Sequence, residues 1–149
     1  MKPTGISLGV RAAGRQDAEA IARLAGELGY PSTADDARER LESVEANPAY
    51  ATFVAVDHGD EVLGWIQLAE VRTLAYAARA EITGLVVDSQ KRGAGAGRAL
   101  VERGEQWARE RGLTAIGLRS NVVREDAHGF YLRLGYTVTK SQKVFRKPL

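Results

Sequence analysis

The sequence predicts a mixed α/β domain, built on a largely antiparallel central sheet. Three observations carry that prediction. Apolar residues recur at helical spacing up to Pro48 and at strand spacing from there to Asp88. Helical spacing returns after a glycine-rich stretch and is followed by further short strand-like runs. No repeat, low-complexity tract or linker divides the 149 residues, which read as one domain over 1–149.

Taken in order, the elements have physical justifications. The run SLGVRAA (7–13) alternates like a short strand. Ile21, Leu24, Ala25 and Leu28 fall at i, i+3, i+4 and i+7, one face of a helix that Gly29 and Pro31 end. A second helix spans 32–47, with Ser32 or Thr33 as its cap. Asp35 and Asp36 suit its positive N-terminus, and Ala37, Leu41 and Val44 form a thin apolar stripe. Two strand-like runs, ATFVAVD and EVLGWIQLAEV, flank the turn signal DHGD. A third, RAEITGLVVD (79–88), loses strict alternation at Gly84, which predicts a bulge or a splayed strand. The next helix buries Leu100, Val101, Gly104, Trp107 and Ala108, with Gly112 as C-cap. A strand over 114–120, a short helix ending at Gly135 and two strands within 136–147 complete the order β-α-α-β-β-β-α-β-α-β-β.

Composition narrows the chemistry. No apolar run reaches the ~18 residues of a membrane span, and the first twenty residues lack the apolar core of a signal peptide. Cysteine is absent, which excludes disulfides, a thiol nucleophile and a thiolate metal site. A cytoplasmic location fits these features. The net charge of +2 divides into 8 − 14 = −6 over residues 1–90 and 13 − 5 = +8 over 91–149. That asymmetry is read either as two partners of opposite charge or as solvated helix faces.

Residues 91–100, KRGAGAGRAL, carry the sharpest signal. A strand, a glycine turn and a helix start make an anion site, because the first helical amides lack partners and the helix dipole is positive there. Lys91, Arg92 and Arg98 add full charges. A phosphate or pyrophosphate is the natural guest. The P-loop pattern is absent. A Rossmann turn would follow the first strand rather than an antiparallel meander.

The stretch LVVDSQKRGAGAGRAL resembles the acetyl-CoA motif of the GNAT N-acetyltransferase superfamily, L-x-V-x-P-x-x-R-G-x-G-x-G. Leu85 and Val87 match its strand, and Arg92, Gly93, Gly95 and Gly97 match its turn. Farther on, SNVVREDAHGFYLRLGY is similar to the family's closing segment through Asn121, Ala127, Phe130, Tyr131, Gly135 and Tyr136. Ser89 stands where the family often has proline, and Ala96 replaces a common branched residue. The longer gap from Asn121 to Ala127, with Arg124, resembles a subgroup of aminoglycoside and aminoalkylphosphonate N-acetyltransferases.

The resemblance implies a GNAT-like fold with a splayed pair of strands, and acetyl-CoA (coenzyme A) as cosubstrate. The pyrophosphate is expected on the amides of Arg92, Gly93, Ala94, Gly95, Ala96 and Gly97, with Arg98 and Asn121 also in the cofactor site. The pantetheine arm is expected along the backbone of Leu85, Val86 and Val87, with a backbone N–H near Val87 polarising the acetyl carbonyl. Tyr131 is the expected general acid for the leaving thiolate, since a phenol with pKa of about 10 is well matched to a thiol. Its structural alternative is a core aromatic. Glu81 is the expected base, acting through water and bordering the substrate. Its alternative is a strand-edge carboxylate. Tyr30 is expected to line the acceptor pocket.

His128 lies one helical turn before Tyr131 and reads as structural, His58 as a solvated turn residue, and Trp65 and Trp107 as core. Two histidines and no cysteine give little basis for a metal site. The expected function is acetyl transfer to a primary amine of a small molecule. The acidic first half favours a cationic acceptor such as an aminoglycoside. A protein or peptide acetyltransferase and a non-catalytic acyl-CoA-binding module are the alternatives. Neither nucleic acid nor membrane is an expected partner, and the resemblance allows a homodimer.

Overall fold

A computed structural model describes residues 8–122 and 124–149. The chain forms two compact units, one ending at Arg119 and the other beginning at Ser120.

The first unit is built on a five-stranded sheet in the order β1-β2-β3-β4-β5. Its strands are β1 (Gly9–Ala12), β2 (Tyr50–Val56), β3 (Val62–Val71), β4 (Arg79–Val87) and β5 (Ile116–Leu118). The first four pair antiparallel, and β5 joins β4 in parallel. The helices of this unit are α1 (Ala18–Glu27), α2 (Ala34–Glu45) and α3 (Ala96–Glu110).

Strand register sorts the side chains. Val54, Trp65 and Val86 stand opposite one another on neighbouring strands and point to one face. They join Leu24 of α1 and Leu41 of α2 in one apolar cluster. Phe53, Ile66 and Leu85 share the other face. There α3 approaches so closely that a Cβ on Gly104 would lie 2.8 Å from Leu68 Cδ2. Leu24, Ile66, Leu68 and Leu100 are fully buried. Each such side chain stabilises the fold by about 1.5–3 kcal/mol.

Local chemistry sets the element ends. Thr33 Oγ1 accepts the Asp36 N–H at the start of α2, and Asp36 accepts the Thr33 N–H in return. Gly29 and Gly112, at φ 97° and 74°, end α1 and α3 in the left-handed region. Asp57 Oδ1 accepts the N–H groups of Gly59 and Glu61 in the DHGD turn. Arg11 ties this turn to the start of α1. It pairs with Asp60 at 3.0 Å and with the buried Asp17 at 2.8 Å. Burial alone would raise the Asp17 carboxyl, but the Arg11 guanidinium and the Gly14 N–H outweigh it and hold it below the usual range.

The second unit contains α4 (Glu125–Arg133), ended by Gly135 at φ 93°. The two strands expected within 136–147 are not formed. These residues carry no strand, and Val138, Val144 and Phe145 are exposed. A helix satisfies its own backbone, whereas a strand needs a neighbour's amides, and here the alternating pattern has no ladder to join. Among the described residues, no helix is long and apolar enough to cross a membrane.

Candidate active site

The glycine turn connects β4 to α3. After Val87 the chain passes through Asp88 and a short 3-10 turn at Ser89–Lys91. Gly93 and Gly95 follow at φ 90° and 85°. That backbone, rather than lack of space, requires glycine. A Cβ on Gly93 would meet nothing within 4 Å, and one on Gly95 only Leu8 at 3.7 Å. Gly95 is the N-cap of α3 and gives it no side-chain cap.

The electrostatics of this helix start differ from those of its neighbours. α1 has Glu19 in its first turn, α2 has Asp35 and Asp36, and α4 has Glu125 and Asp126. The first turn of α3 has no acidic residue. Among the described residues no side chain caps its first amides, which with the positive dipole end would fit the pyrophosphate of coenzyme A. Lys91 and Arg92 precede the turn. Arg98 Nε donates to Glu102 Oε1 at 2.9 Å, so part of its charge is compensated within α3.

The turn is braced from α1. Asp88 Oδ1 accepts the Gln90 N–H at 2.9 Å, and Asp88 Oδ2 accepts from Arg23 Nη1 at 3.1 Å. The Gln90 N–H holds the Asp88 carboxyl below its ordinary pKa. Burial opposes this, and the Arg23 charge reinforces it. Ser89 Oγ donates to Glu27 Oε1 at 2.5 Å, and the Ser89 N–H points to the same oxygen at 3.4 Å.

β4 opens beside the turn. β5 pairs with it only from Ala80 to Ile82. Over 83–87 that edge of β4 has no described strand partner, so Leu85, Val86 and Val87 lie beyond the end of β5. On the β3 side the register shifts at Thr83, since Ile82 faces Leu68 and Gly84 faces Gln67. Thr83 Oγ1 donates to Gln67 Oε1 at 2.9 Å. Gly84 is fixed by packing, because a Cβ there would lie 2.7 Å from the Trp65 ring. The alternation lost in the sequence at Gly84 is thus a bulge.

A cavity of about 250 Å³ lies between α1, α2 and this bulge. Ile21, Ala25 and Leu28 form its α1 wall, and Trp65, Gln67, Thr83 and Gly84 form its floor. Tyr30, Ser32 and Arg40 also line it, and Arg40 Nη1 donates to Ser32 Oγ at 3.0 Å. No Asp or Glu is among its described lining residues. Tyr30 is 70% exposed. Glu81 does not line the cavity. It faces Ala69, one alternation beyond Gln67 on the same face of the sheet, and pairs with Arg119 at 3.5 Å. Trp107 is buried, whereas Trp65 is half-buried against the cavity.

In the second unit, Tyr131 is half-buried on α4, edge-on to Phe130 and Tyr136 at 5.1 and 5.9 Å between ring centres. Burial raises its phenol above the ordinary value, and the Arg124 charge only partly offsets this. His128 Nε2 lies 2.9 Å from the Asn121 carbonyl oxygen, which also accepts the Arg124 N–H. With that oxygen as acceptor, His128 donates and ties the preceding loop to α4.

Sequence reasoning missed the braces from Arg23 and Glu27, and the cavity contributions of Arg40, Gln67 and Thr83. Ser89 in place of a common proline was the visible signal for the first. The second depended on which strands become neighbours.

The Acetyltransferase (GNAT) family pattern matches residues 18–136. An aminoglycoside N(6')-acetyltransferase type 1 from Stenotrophomonas maltophilia is 33% identical over 147 residues, covering 94% of this chain and 93% of that protein. An aminoalkylphosphonate N-acetyltransferase from Salmonella typhimurium is 37% identical over 114 residues, covering 76% and 71%. Among solved structures, an aminoglycoside N-acetyltransferase in complex with CoA superposes with a TM-score of 0.85 at 17% identity, over the full length of both chains. A transcriptional regulator from Bacillus halodurans superposes at 0.84 with 25% identity, over 94% of this chain and 99% of that one. An open helix start at the end of a splayed strand and a match over most of the chain lead to one assignment: the protein belongs to the GNAT acetyltransferase family and is an acetyl-CoA-dependent N-acetyltransferase.

Proposed function

We propose that the protein transfers acetyl to a primary amine of a small molecule, by direct attack of the neutral amine on the thioester of acetyl-CoA. The observation that carries this reading is the layout of β4. Its bulge closes a cavity of small-molecule size, and the same strand ends at Val87, from which the glycine turn leads to the start of α3.

In this reading Gly93, Ala94, Gly95, Ala96 and Gly97 hold the pyrophosphate through backbone amides, with Arg92 and Arg98 as counter-charges. The uncovered edge of β4 at Leu85–Val87 offers backbone groups to the pantetheine arm, and an N–H near Val87 polarises the acetyl carbonyl. Acetyl-CoA supplies the activated acetyl group. Glu81 removes the ammonium proton through water, and Tyr131 protonates the leaving thiolate. The raised pKa of Tyr131 supports the second role, because the phenol keeps its proton until the thiolate needs it. Asn121 belongs to the cofactor site by its place in the closing motif, and Tyr30 borders the acceptor.

For the acceptor, the relative named as an aminoglycoside acetyltransferase, similar over nearly the whole chain, supports an aminoglycoside. The cavity supports a second reading. It is lined by apolar side chains, hydroxyls and the Arg40 cation, with no carboxylate among the described residues. Such walls suit an amine with an apolar body and an anionic end. Thiol release from acetyl-CoA, measured against aminoglycosides, polyamines, aminoalkylphosphonates and lysine peptides, separates these readings. Preference for an aminoglycoside or an aminoalkylphosphonate selects between the first two. Turnover of peptides alone overturns the small-molecule reading.

A further inference from the structure

We propose that Arg23 and Glu27 of α1 are positioning residues for cosubstrate binding, latching the glycine turn through Asp88 and Ser89. The inference rests on the reading of residues 92–97 as the pyrophosphate site.

Arg23 and Glu27 are four residues apart and share one face of α1. Asp88 follows β4, and Ser89 opens the 3-10 turn that leads toward the glycines. Each α1 side chain holds one of them, Arg23–Asp88 at 3.1 Å and Glu27–Ser89 at 2.5 Å. The two contacts do different work. The Asp88 side chain is 13% exposed, and it lies in sequence just before the residues proposed to hold the pyrophosphate. Unopposed, it would repel a pyrophosphate, and Arg23 neutralises it. Ser89 occupies the position where the resembling motif often has proline. A proline would fix the backbone covalently there. Serine leaves it free, and the bonds of its Oγ and N–H to Glu27 supply the restraint instead.

The backbone permits the exchange. Asp88 has φ −50° and ψ 123°, a conformation open to a residue preceding proline, and Ser89 opens a 3-10 turn. The opposite wall of α1, through Ile21, Ala25 and Leu28, lines the acceptor cavity. One helix thereby carries the wall of one binding site and the brace of the other.

The test is calorimetric titration of the full chain with CoA. Ser89→Ala and Arg23→Ala are each expected to weaken CoA binding roughly 3- to 10-fold, the range for one hydrogen bond or charge contact. Ser89→Pro is expected to recover most of the loss seen in Ser89→Ala, and to become insensitive to Glu27→Gln. A role confined to stability would move the melting temperature and leave CoA affinity unchanged. The latch is overturned if Ser89→Ala and Arg23→Ala bind CoA within twofold of wild type, or if Ser89→Pro binds as poorly as Ser89→Ala. Gly95→Asp locates a failure. Loss of CoA binding in Gly95→Asp with silent Ser89 and Arg23 variants rejects the latch alone. Normal binding in Gly95→Asp rejects the pyrophosphate reading and the latch with it.

Discussion

The starts of α2 and α3 solve one physical problem in opposite ways. Both helices begin with amides that lack intrahelical partners and with a positive dipole end. At α2, Thr33 and Asp36 cap the amides reciprocally, and Asp35 adds a second negative charge. At α3, the cap is a glycine at φ 85°, with no capping side chain and no acidic residue in the first turn. The first start is complete within the chain. The second has no side-chain cap, and Gly95 adds conformational freedom that folding must remove. The difference separates a helix start capped by its own side chains from one that, in the proposed reading, is left for a ligand.

The largest effect is expected from making α3 resemble α2. Gly95→Asp places a carboxylate and a strained left-handed residue at the α3 N-cap, and CoA affinity should fall by more than roughly 100-fold. Titration calorimetry checks this, and unchanged affinity would remove the anion site from the turn.

The start of α4 resembles that of α2, with Glu125 and Asp126 in its first turn, and the proposal gives α4 the proton donor Tyr131 rather than an anion site. Tyr131→Phe should lower kcat about 100-fold while CoA affinity stays within twofold. An unchanged kcat would take Tyr131 out of the reaction. The pH profile sharpens the point. The donor must be protonated, and burial places its pKa above the ordinary 10.0. No loss of kcat due to Tyr131 should therefore occur below about pH 10. A lower alkaline limb that persists in Tyr131→Phe would belong to another group, whereas one that disappears would keep Tyr131 as donor and contradict its raised pKa.

Effects at α2 should be smaller and confined to stability. Thr33→Ala should cost about 1 kcal/mol in chemical denaturation and leave the CoA affinity unchanged. A change in affinity instead would erase the distinction between the two helix starts. Acid should act in the same direction. The Thr33 N–H and hydroxyl hold the Asp36 carboxyl below its usual range. Its contribution is therefore full above the unfolded pKa of about 3.9 and is lost as pH falls through the lower folded value. Asp36→Asn should flatten that part of the stability profile, while α3 has no first-turn carboxylate to titrate. An acid transition unchanged in Asp36→Asn would show that the capping box adds nothing there.

How far these features were legible in the sequence follows from the range of the forces behind them. The buried face of α3, from Leu100 to Ala108, was readable because helical periodicity is local. So was the bulge near Gly84, where alternation slips along a single strand. The glycine turn was readable because left-handed backbone restricts residue type so strongly. The strands expected within 136–147 failed because alternation describes a willingness to pair and does not supply a partner. The cavity was invisible for a related reason. Tyr30 follows α1, Arg40 lies on α2 and Gln67 on β3, and they meet only where the two helices pack over the sheet.

Arg11 has a practical consequence for anyone who would label this protein. The turn at 57–60 is polar and exposed at its tip, which makes it an inviting place for a tag or an inserted peptide. Yet Asp60 is bound to Arg11, and Arg11 is bound to the buried Asp17 at the entrance to α1. Residues 72–78 form the next hairpin connection, and the bonds of Thr73 to the Ala75 and Tyr76 N–H groups close within that loop. Tyr76 stacks on the adjoining Arg79, and Leu74 is fully exposed. A fluorophore or affinity handle therefore belongs at 73–78, clear of Arg72, which pairs with the nearly buried Glu70 at 3.1 Å.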